Sequence, residues 1–367
     1  MSAIVQDNAA SGGGYTAFRV VERTVESETI TSFRLARCDG AALASFRPGQ
    51  FLTLRLPGDL VRTYTISSSP DDRASYRITV KREPAPPHAP DTPPGRASNY
   101  LHDAVETGAV IDSLEPRGAF VLDEASARPV VLLSGGVGLT PMVSMAHRLA
   151  ASGRASYFVH ACENGRVHAL RDEMSALAQS HPTLRTFFIY REPTSDDVAA
   201  GRFEHKGVVT REWLQRLLPL DDYDFYLCGP PGFMQAIYAA LLSLGVAKAR
   251  IKYEFFGPAT VLEPQPSAPE QPLPKIERPR GSVGHVVFAR SGKSAAWGDF
   301  KGTLLEFAEL QGLTPEFSCR AGICNTCACD VLEGEVSYAD EPLDAPAAGK
   351  ALICLARPSS GLLWLDL

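Results

Sequence analysis

No run of lysine and arginine interrupts this sequence, and its formal net charge at pH 7 is −6. Phosphate backbones are gripped by concentrated basic surface, so nucleic acid is excluded as the main partner. Long apolar runs are missing too. The one extended uncharged stretch, 129–146, is broken by Gly135, Gly136, Gly138 and Pro141, which suits a strand, a turn and a helix rather than a membrane span. The first residues, MSAIVQDNAASGGGY, lack a positive segment followed by an apolar core. No secretion signal is expected from them, and the expected location is cytoplasmic with no membrane association. No internal repeat is visible, so distinct domains are expected.

What is present points to several cores. A chain of 367 residues with 45% hydrophobic content has room for two to three domains at roughly 100–200 residues each. Two proline-dense stretches punctuate it, EPAPPHAPDTPPG at 83–95 and LEPQPSAPEQPLPKIERPR at 262–280. The second reads as an interdomain tether, held extended by its prolines.

Three regimes follow. Over 15–124, short alternating runs such as FLTLRL, RTYTIS and YRITVKR predict an antiparallel β-barrel. Over 125–260, apolar runs (PVVLLS, SYFVHA, RTFFIY, DFYLCG) alternate with helical stretches, which predicts an α/β nucleotide-type domain on a parallel sheet. After a linker at 261–280, a small α+β domain is expected over 281–367. There HVVFARS is strand-like, and Thr303 with Glu306 forms a capping box for a helix that Gly312 ends.

Four of the eight cysteines lie between Cys319 and Cys329. In a reducing compartment such clusters are metal ligands or redox groups rather than disulfides. Cys319, Cys324, Cys327 and the distant Cys354 reproduce the C-x4-C-x2-C…C spacing of a plant-type 2Fe-2S cluster. Zinc favours short paired spacings, which the four-residue gap fits poorly. Cys329 is left over and reads as a packed neighbour that ligates nothing.

Such a cluster takes one electron at a time, whereas a nicotinamide gives up a hydride. A flavin bridges the two, because it accepts a hydride and can release electrons singly. VRTYTISSSP offers Arg62, Tyr64, Thr65 and Ser67: a guanidinium for phosphate, a ring for the isoalloxazine face and a hydroxyl for flavin N5. GRASNYLHD places Gly95, Ala97 and Ser98 at a helix start, where exposed N–H groups suit a pyrophosphate. LLSGGVGLTPM, with Gly135, Gly136, Gly138 and Thr140, lets backbone approach a second phosphate, although it is not G-x-G-x-x-G. YLCGPPGFM puts Cys228, Gly229 and Pro230 at the carboxyl end of a strand, where open α/β sheets bind ligands. The alternatives are ordinary strand alternation at Arg62, a ligand-free glycine turn at Gly135 and a buried core thiol at Cys228.

With YRITVKRE and YEFFGP, these segments resemble the ferredoxin-NADP reductase superfamily, most closely the reductase half of flavohaemoglobins. The C-terminal part resembles plant-type ferredoxin, and the domain order is similar to reductase components of Rieske-type oxygenase systems. The resemblance implies flavin contacts for Arg62, Tyr64 and Thr65, and places Gly95 and Ser98 near its phosphates. It implies nicotinamide contacts for Gly135, Gly136, Gly138, Thr140, Cys228 and Gly229, and brings Glu254 and Phe256 to the flavin ring. Thr65, Cys228 and Glu254 are then the residues at the reacting atoms. SNYLHD suggests FAD, while related reductases use FMN; NADH is favoured because no basic cluster follows FVHACENG, with Arg166 keeping NADPH open. No globin segment is present for haem chemistry in this chain.

The expected function is an NAD(P)H-dependent electron-transfer reductase. Electrons would pass from nicotinamide through flavin to the 2Fe-2S cluster and on to a partner protein, an oxygenase component. From Arg280 to Leu367 there are 7 Lys and Arg against 11 Asp and Glu, an acidic surface able to steer a basic acceptor. A redox-sensing module and a free-standing flavin or ferric reductase are the alternatives.

Overall fold

The computed structural model describes residues 14–58, 60–84, 94–256, 284–313, 315, 317, 322, 327–338, 342, 346–359 and 361–367. The expected linker at 261–280, most of the proline-dense insertion, and the expected ligands Cys319 and Cys324 lie outside these residues. Two compact units are distinguished: Met1–Val209 with Leu218–Tyr226, and Thr210–Leu217 with Leu227–Leu367.

The first unit opens with β1 (Thr16–Val25), β2 (Ile30–Arg37), β3 (Phe51–Leu56), β4 (Leu60–Thr65), β5 (Tyr76–Lys81), α1 (Arg96–Ala104) and β6 (Val110–Arg117). The six strands form one antiparallel sheet in the order β4-β3-β6-β1-β2-β5. A bridge between Ile66 and Ile78 joins the outer strands, so the sheet curls into the expected barrel. Phe18, Phe33, Leu35, Leu52, Leu54, Ile66 and Ile78 are completely buried. Each contributes about 1.5–3 kcal/mol relative to exposure. Helix α1 is pinned to the barrel by His102, whose Nε2 donates to the Val80 carbonyl at 2.9 Å.

A parallel sheet follows, built from β7 (Val130–Gly135), α2 (Leu139–Ser152), β8 (Ser156–Cys162), α3 (Arg171–Ser180), β9 (Leu184–Tyr190), α4 (Ser195–Ala199), β10 (His205–Lys206), α5 (Arg211–Leu217), β11 (Asp224–Cys228), α6 (Pro231–Ser243) and β12 (Ile251–Glu254). Its order is β10-β9-β8-β7-β11-β12. Every residue of β7 is buried, as expected of a strand covered on both faces. Helix α2 stops at Gly153, whose φ of 70° lets its N–H reach the Ala150 and Leu149 carbonyls.

The second unit ends in a small α+β domain with β13 (His285–Phe288), β14 (Lys293–Ala296), α7 (Leu304–Leu310), β15 (Ala328–Glu333), β16 (Val336–Tyr338), β17 (Lys350–Leu352), β18 (Ala356–Pro358) and β19 (Leu362–Leu365). Strand β13 pairs antiparallel with β14 and parallel with β19, giving a mixed five-stranded sheet in the order β14-β13-β19-β15-β17, the β-grasp pattern. Thr303 and Glu306 form the expected capping box, and the Gly312 N–H closes the helix on the Glu309 carbonyl at 2.9 Å. The strand-like segment HVVFARS forms β13. It ends at Phe288, where Ser291 Oγ turns back to donate to the Phe288 carbonyl at 3.1 Å.

Within the first unit, Gly49 lies where α2 meets the barrel. Its φ is 102°, and an added Cβ would lie 2.8 Å from Met145 Cε and run into the Phe120 carbonyl oxygen. Gly49→Ala is therefore expected to destabilise this unit by about 3 kcal/mol, read from denaturant or thermal unfolding.

Candidate cofactor sites

On β4, Arg62 and Tyr64 are half-buried and Thr65 is buried. Arg62 Nη1 donates to the Val61 carbonyl at 2.9 Å. Burial raises the Tyr64 phenol well above its ordinary value against a lowering by Arg62, and Glu83 raises it further, so the ring stays neutral. The same Glu83 meets α1: its N–H donates to Ser98 Oγ at 3.3 Å, and its carbonyl accepts from the Gly95 N–H at 2.9 Å. Glu83, just beyond β5, is thus tied to the start of α1.

Gly95 caps α1, and no side chain caps that helix end or places an acid in its first turn. A Cβ there would lie 2.7 Å from Ser98 Oγ and 2.9 Å from Glu83 Cβ, so the chain passes too closely for any other residue. Open helix N–H groups, a glycine cradle and a neutral tyrosine beside an arginine fit a flavin with its phosphates. Ala97 and Ser98 are both buried on α1. Ser67 is completely buried, its hydroxyl 2.8 Å from Thr79 Oγ1 and 3.1 Å from the Arg77 carbonyl, which it donates to. It faces the protein interior.

On the nicotinamide side, Gly135 ends β7 with φ −121°, and the 136–138 turn leads into α2. Gly136 has φ 52° and open space around its missing side chain, so the backbone conformation requires glycine there. Gly138 caps α2 without a side-chain bond. The N–H groups at this helix start fit a phosphate. Thr140 Oγ1 donates to the Val137 carbonyl at 3.2 Å, so this hydroxyl braces the turn.

In the second unit, Cys228 ends β11, Gly229 and Pro230 follow, and Pro230 caps α6. Cys228 is completely buried. Burial pushes its thiol well above the ordinary value and the nearby Glu254 carboxylate adds to this, so it is held as a neutral thiol rather than a nucleophile. Glu254, buried, ends the neighbouring strand β12, and Phe256 beyond it is exposed.

Of the cysteines expected to hold the cluster, Cys327 and Cys354 are both buried in one core, and neither is in a disulfide. The Ile353 N–H donates to the Cys327 carbonyl at 3.3 Å, tying the two segments together. Gly322, inside the cysteine loop, has φ 66°, and a Cβ there would run into the Leu355 side chain next to Cys354. Gly322 and the turn carrying Cys354, between β17 and β18, therefore lie close together, which fits a cluster held there. Among the described residues no group of three metal-binding side chains is complete. Cys329 sits on β15 opposite Ala351, its Sγ donating to the Asp330 carbonyl at 3.6 Å.

The sequence reading passed over Arg77, Glu173 and His147. Arg77 Nη1 and Nη2 donate to Glu173 Oε2 at 2.5 Å and Oε1 at 2.9 Å. His147 Nε2 lies 2.7 Å from Glu173 Oε1. Alternation in YRITVK shows which residues share a face of β5, but nothing local shows that the face carrying Arg77 is covered.

With that geometry in place, the chain can be set beside known proteins. Residues 17–122 match the oxidoreductase FAD-binding domain, 132–238 the oxidoreductase NAD-binding domain, and 292–359 the 2Fe-2S iron-sulfur cluster binding domain. The chain is 41% identical over 268 residues to a flavohemoprotein of Bacillus thuringiensis subsp. konkukian (strain 97-27), a match over 70% of this chain and 65% of that relative's length. It is 37% identical to the flavohem-like FAD/NAD-binding domain of nitric oxide dioxygenase from Vibrio cholerae O1 biovar El Tor, with a TM-score of 0.58 over 66% of this chain and 99% of that one. Phthalate dioxygenase reductase shares the fold across 96% of this chain and 98% of its own, with a TM-score of 0.55 at 24% identity. Fold and sites together define a flavin- and nicotinamide-binding oxidoreductase that also carries a 2Fe-2S domain. The chain belongs to the ferredoxin-NADP reductase superfamily, with reductase domains of the flavohaemoglobin type and a C-terminal plant-type ferredoxin domain. No helix among the described residues is long and apolar enough to cross a membrane.

Two outcomes are expected. Cys327→Ser or Cys354→Ser should remove the cluster's visible absorption and electron paramagnetic signal, and Cys329→Ser should keep both. Burial would raise the Glu173 carboxyl, but hydrogen bonds from His147 and Arg77 hold it at about 2, against an ordinary 4.5. Its contribution to stability is thus complete above about pH 4.5 and is lost as pH falls towards 2. Acid unfolding of Glu173→Gln, compared with wild type, should lack that part of the slope.

Proposed function

We propose that this protein is an NAD(P)H-dependent electron-transfer reductase, passing electrons from nicotinamide through flavin to its 2Fe-2S cluster and on to a partner oxygenase. The observation that carries the reading is the presence of all three cofactor domains on one chain, with Cys327 and Cys354 buried in one core at the ferredoxin end. The chain spans 65% of the flavohemoprotein's length. Its activity is accordingly read from its own domains. Domain limits of 15–124, 125–260 and 281–367, with a linker at 261–280, suit the matched segments. A cytoplasmic location suits cysteines kept available as ligands.

A bound flavin supplies the exchange between a two-electron donor and a one-electron centre. The chain supplies binding and orientation. Arg62 would hold flavin phosphate with the α1 N-terminus, the Tyr64 ring would pack on the isoalloxazine, and the Thr65 hydroxyl would orient N5. The 135–138 turn would seat the nicotinamide cofactor's phosphates. Cys228, Gly229 and Pro230 would line the nicotinamide, with Cys228 as a compact neutral side chain, and Glu254 and Phe256 would border the flavin ring. NADH is the proposed donor, because no basic cluster follows β8 and the Arg191 guanidinium nearby is already paired with Glu163 at 2.8 Å.

The purified chain should oxidise NADH with ferricyanide or cytochrome c as acceptor. Gly135→Val tests the nicotinamide site: its φ of −121° is one valine adopts, so the change adds bulk at the buried end of β7 without backbone strain. Flavin and cluster absorption should persist, while NADH-driven cluster reduction falls by about 100-fold. Full activity in this variant would remove the proposed site.

A further inference from the structure

Arg77 is held on two sides at once. Its side chain is 8% exposed, and its Nε donates to Ser67 Oγ at 3.2 Å while Nη2 donates to the Ser67 carbonyl at 2.6 Å. The Ser67 N–H returns a bond to the Arg77 carbonyl at 2.7 Å. On its other side stand the Glu173 carboxylate on α3 and, through it, His147 on α2. Ser67 lies two residues beyond Thr65. Helix α2 starts directly from the glycine turn.

The same helix meets the barrel at further points. Met145 fills the space beside Gly49. Arg148 pairs with Asp71 at 3.2 Å and with Glu124 at 3.4 Å. Beside them, the Glu28 N–H donates to the Arg166 carbonyl at 3.0 Å. All these residues belong to the first unit.

A desolvated ion pair adds little net stability over a well-packed apolar pair, because removing both charges from water offsets much of their attraction. What a bidentate arginine–carboxylate pair does supply is geometry: two parallel bonds tolerate little sliding or rotation. We propose that Arg77 and Glu173 are positioning residues for hydride transfer, fixing the flavin strand at Thr65 relative to the 135–138 turn. The inference rests on the reductase reading above. In that reaction the C–H bond of the reduced nicotinamide breaks, and its hydrogen passes with both electrons to the flavin. Reaction demands contact within a few tenths of an ångström, and a shift of about 1 Å costs about 100-fold in rate.

The test is anaerobic stopped-flow reduction of the flavin in the full holo chain by NADH and by 4-deuterated NADH, normalised to bound flavin. In Glu173→Gln the limiting rate should fall by about 10- to 100-fold, with the NADH concentration for half-maximal rate within about threefold of wild type and an altered deuterium isotope effect. If Glu173→Gln does not fold, Arg77→Lys, which keeps the charge and loses the fork, carries the same expectation. A merely structural role would lower the melting temperature or flavin content and leave the limiting rate per flavin and the isotope effect at wild-type values; that result overturns the proposal. Wild-type flavin that NADH fails to reduce would instead sink the reductase reading itself.

Discussion

A guanidinium removed from water must find partners for its donors, and Arg77 finds them in two layers at once. Ser67 satisfies it from the barrel, and Glu173 from the helices that cover the parallel sheet. Leaving out either side would strand a buried charge, which costs about 3–5 kcal/mol. That constraint makes the two layers of the first unit one body. Helix α2 adds to it through His147, which bonds to Glu173, and through Arg148, which pairs with Asp71 beyond β4.

Around this fixed centre the ligand-facing elements are mostly backbone. Gly95, Gly136 and Gly138 stand at helix entrances, and the α1 and α2 starts lack side-chain caps. Hydroxyls that a motif reading assigns to ligands partly brace the protein itself: Thr140 holds its own turn, Ser98 ties α1 to Glu83, and Ser67 supports Arg77. Such bracing costs no affinity if the helix N–H groups do the binding, because it keeps them aimed before a ligand arrives. The SNYLHD segment behaves likewise. Asn99 bonds to the Glu83 and Gly95 carbonyls, His102 to Val80, and Asp103 to Arg82.

Much of the fold was legible in the sequence, for local reasons. The runs FLTLRL and YRITVK became strands because β-branched and apolar residues alternate between turn-forming neighbours. The α7 helix followed from Thr303, Glu306 and Gly312, each acting within one turn of chain. HVVFARS likewise became β13, with the Ser291 hydroxyl bonded back to the Phe288 carbonyl where it ends. The barrel's closure through Ile66 and Ile78 follows from sheet twist, to which the pattern of either strand alone is blind.

Sequence alone determined the chemistry that depends on short spacing. Three cysteines at the C-x4-C-x2-C spacing and glycines at helix entrances are properties of neighbouring residues, set by backbone reach and side-chain size. Tertiary structure decided what depends on contacts between distant segments. Arg77 and Glu173 stand 96 residues apart, and Glu83, just beyond β5, is tied to Ser98 at the start of α1. Gly322 comes close enough to Leu355, the neighbour of Cys354, to leave no room for a side chain. Burial and partnership arise only when separate elements exclude water from the same place, and a linear pattern does not encode which faces will meet.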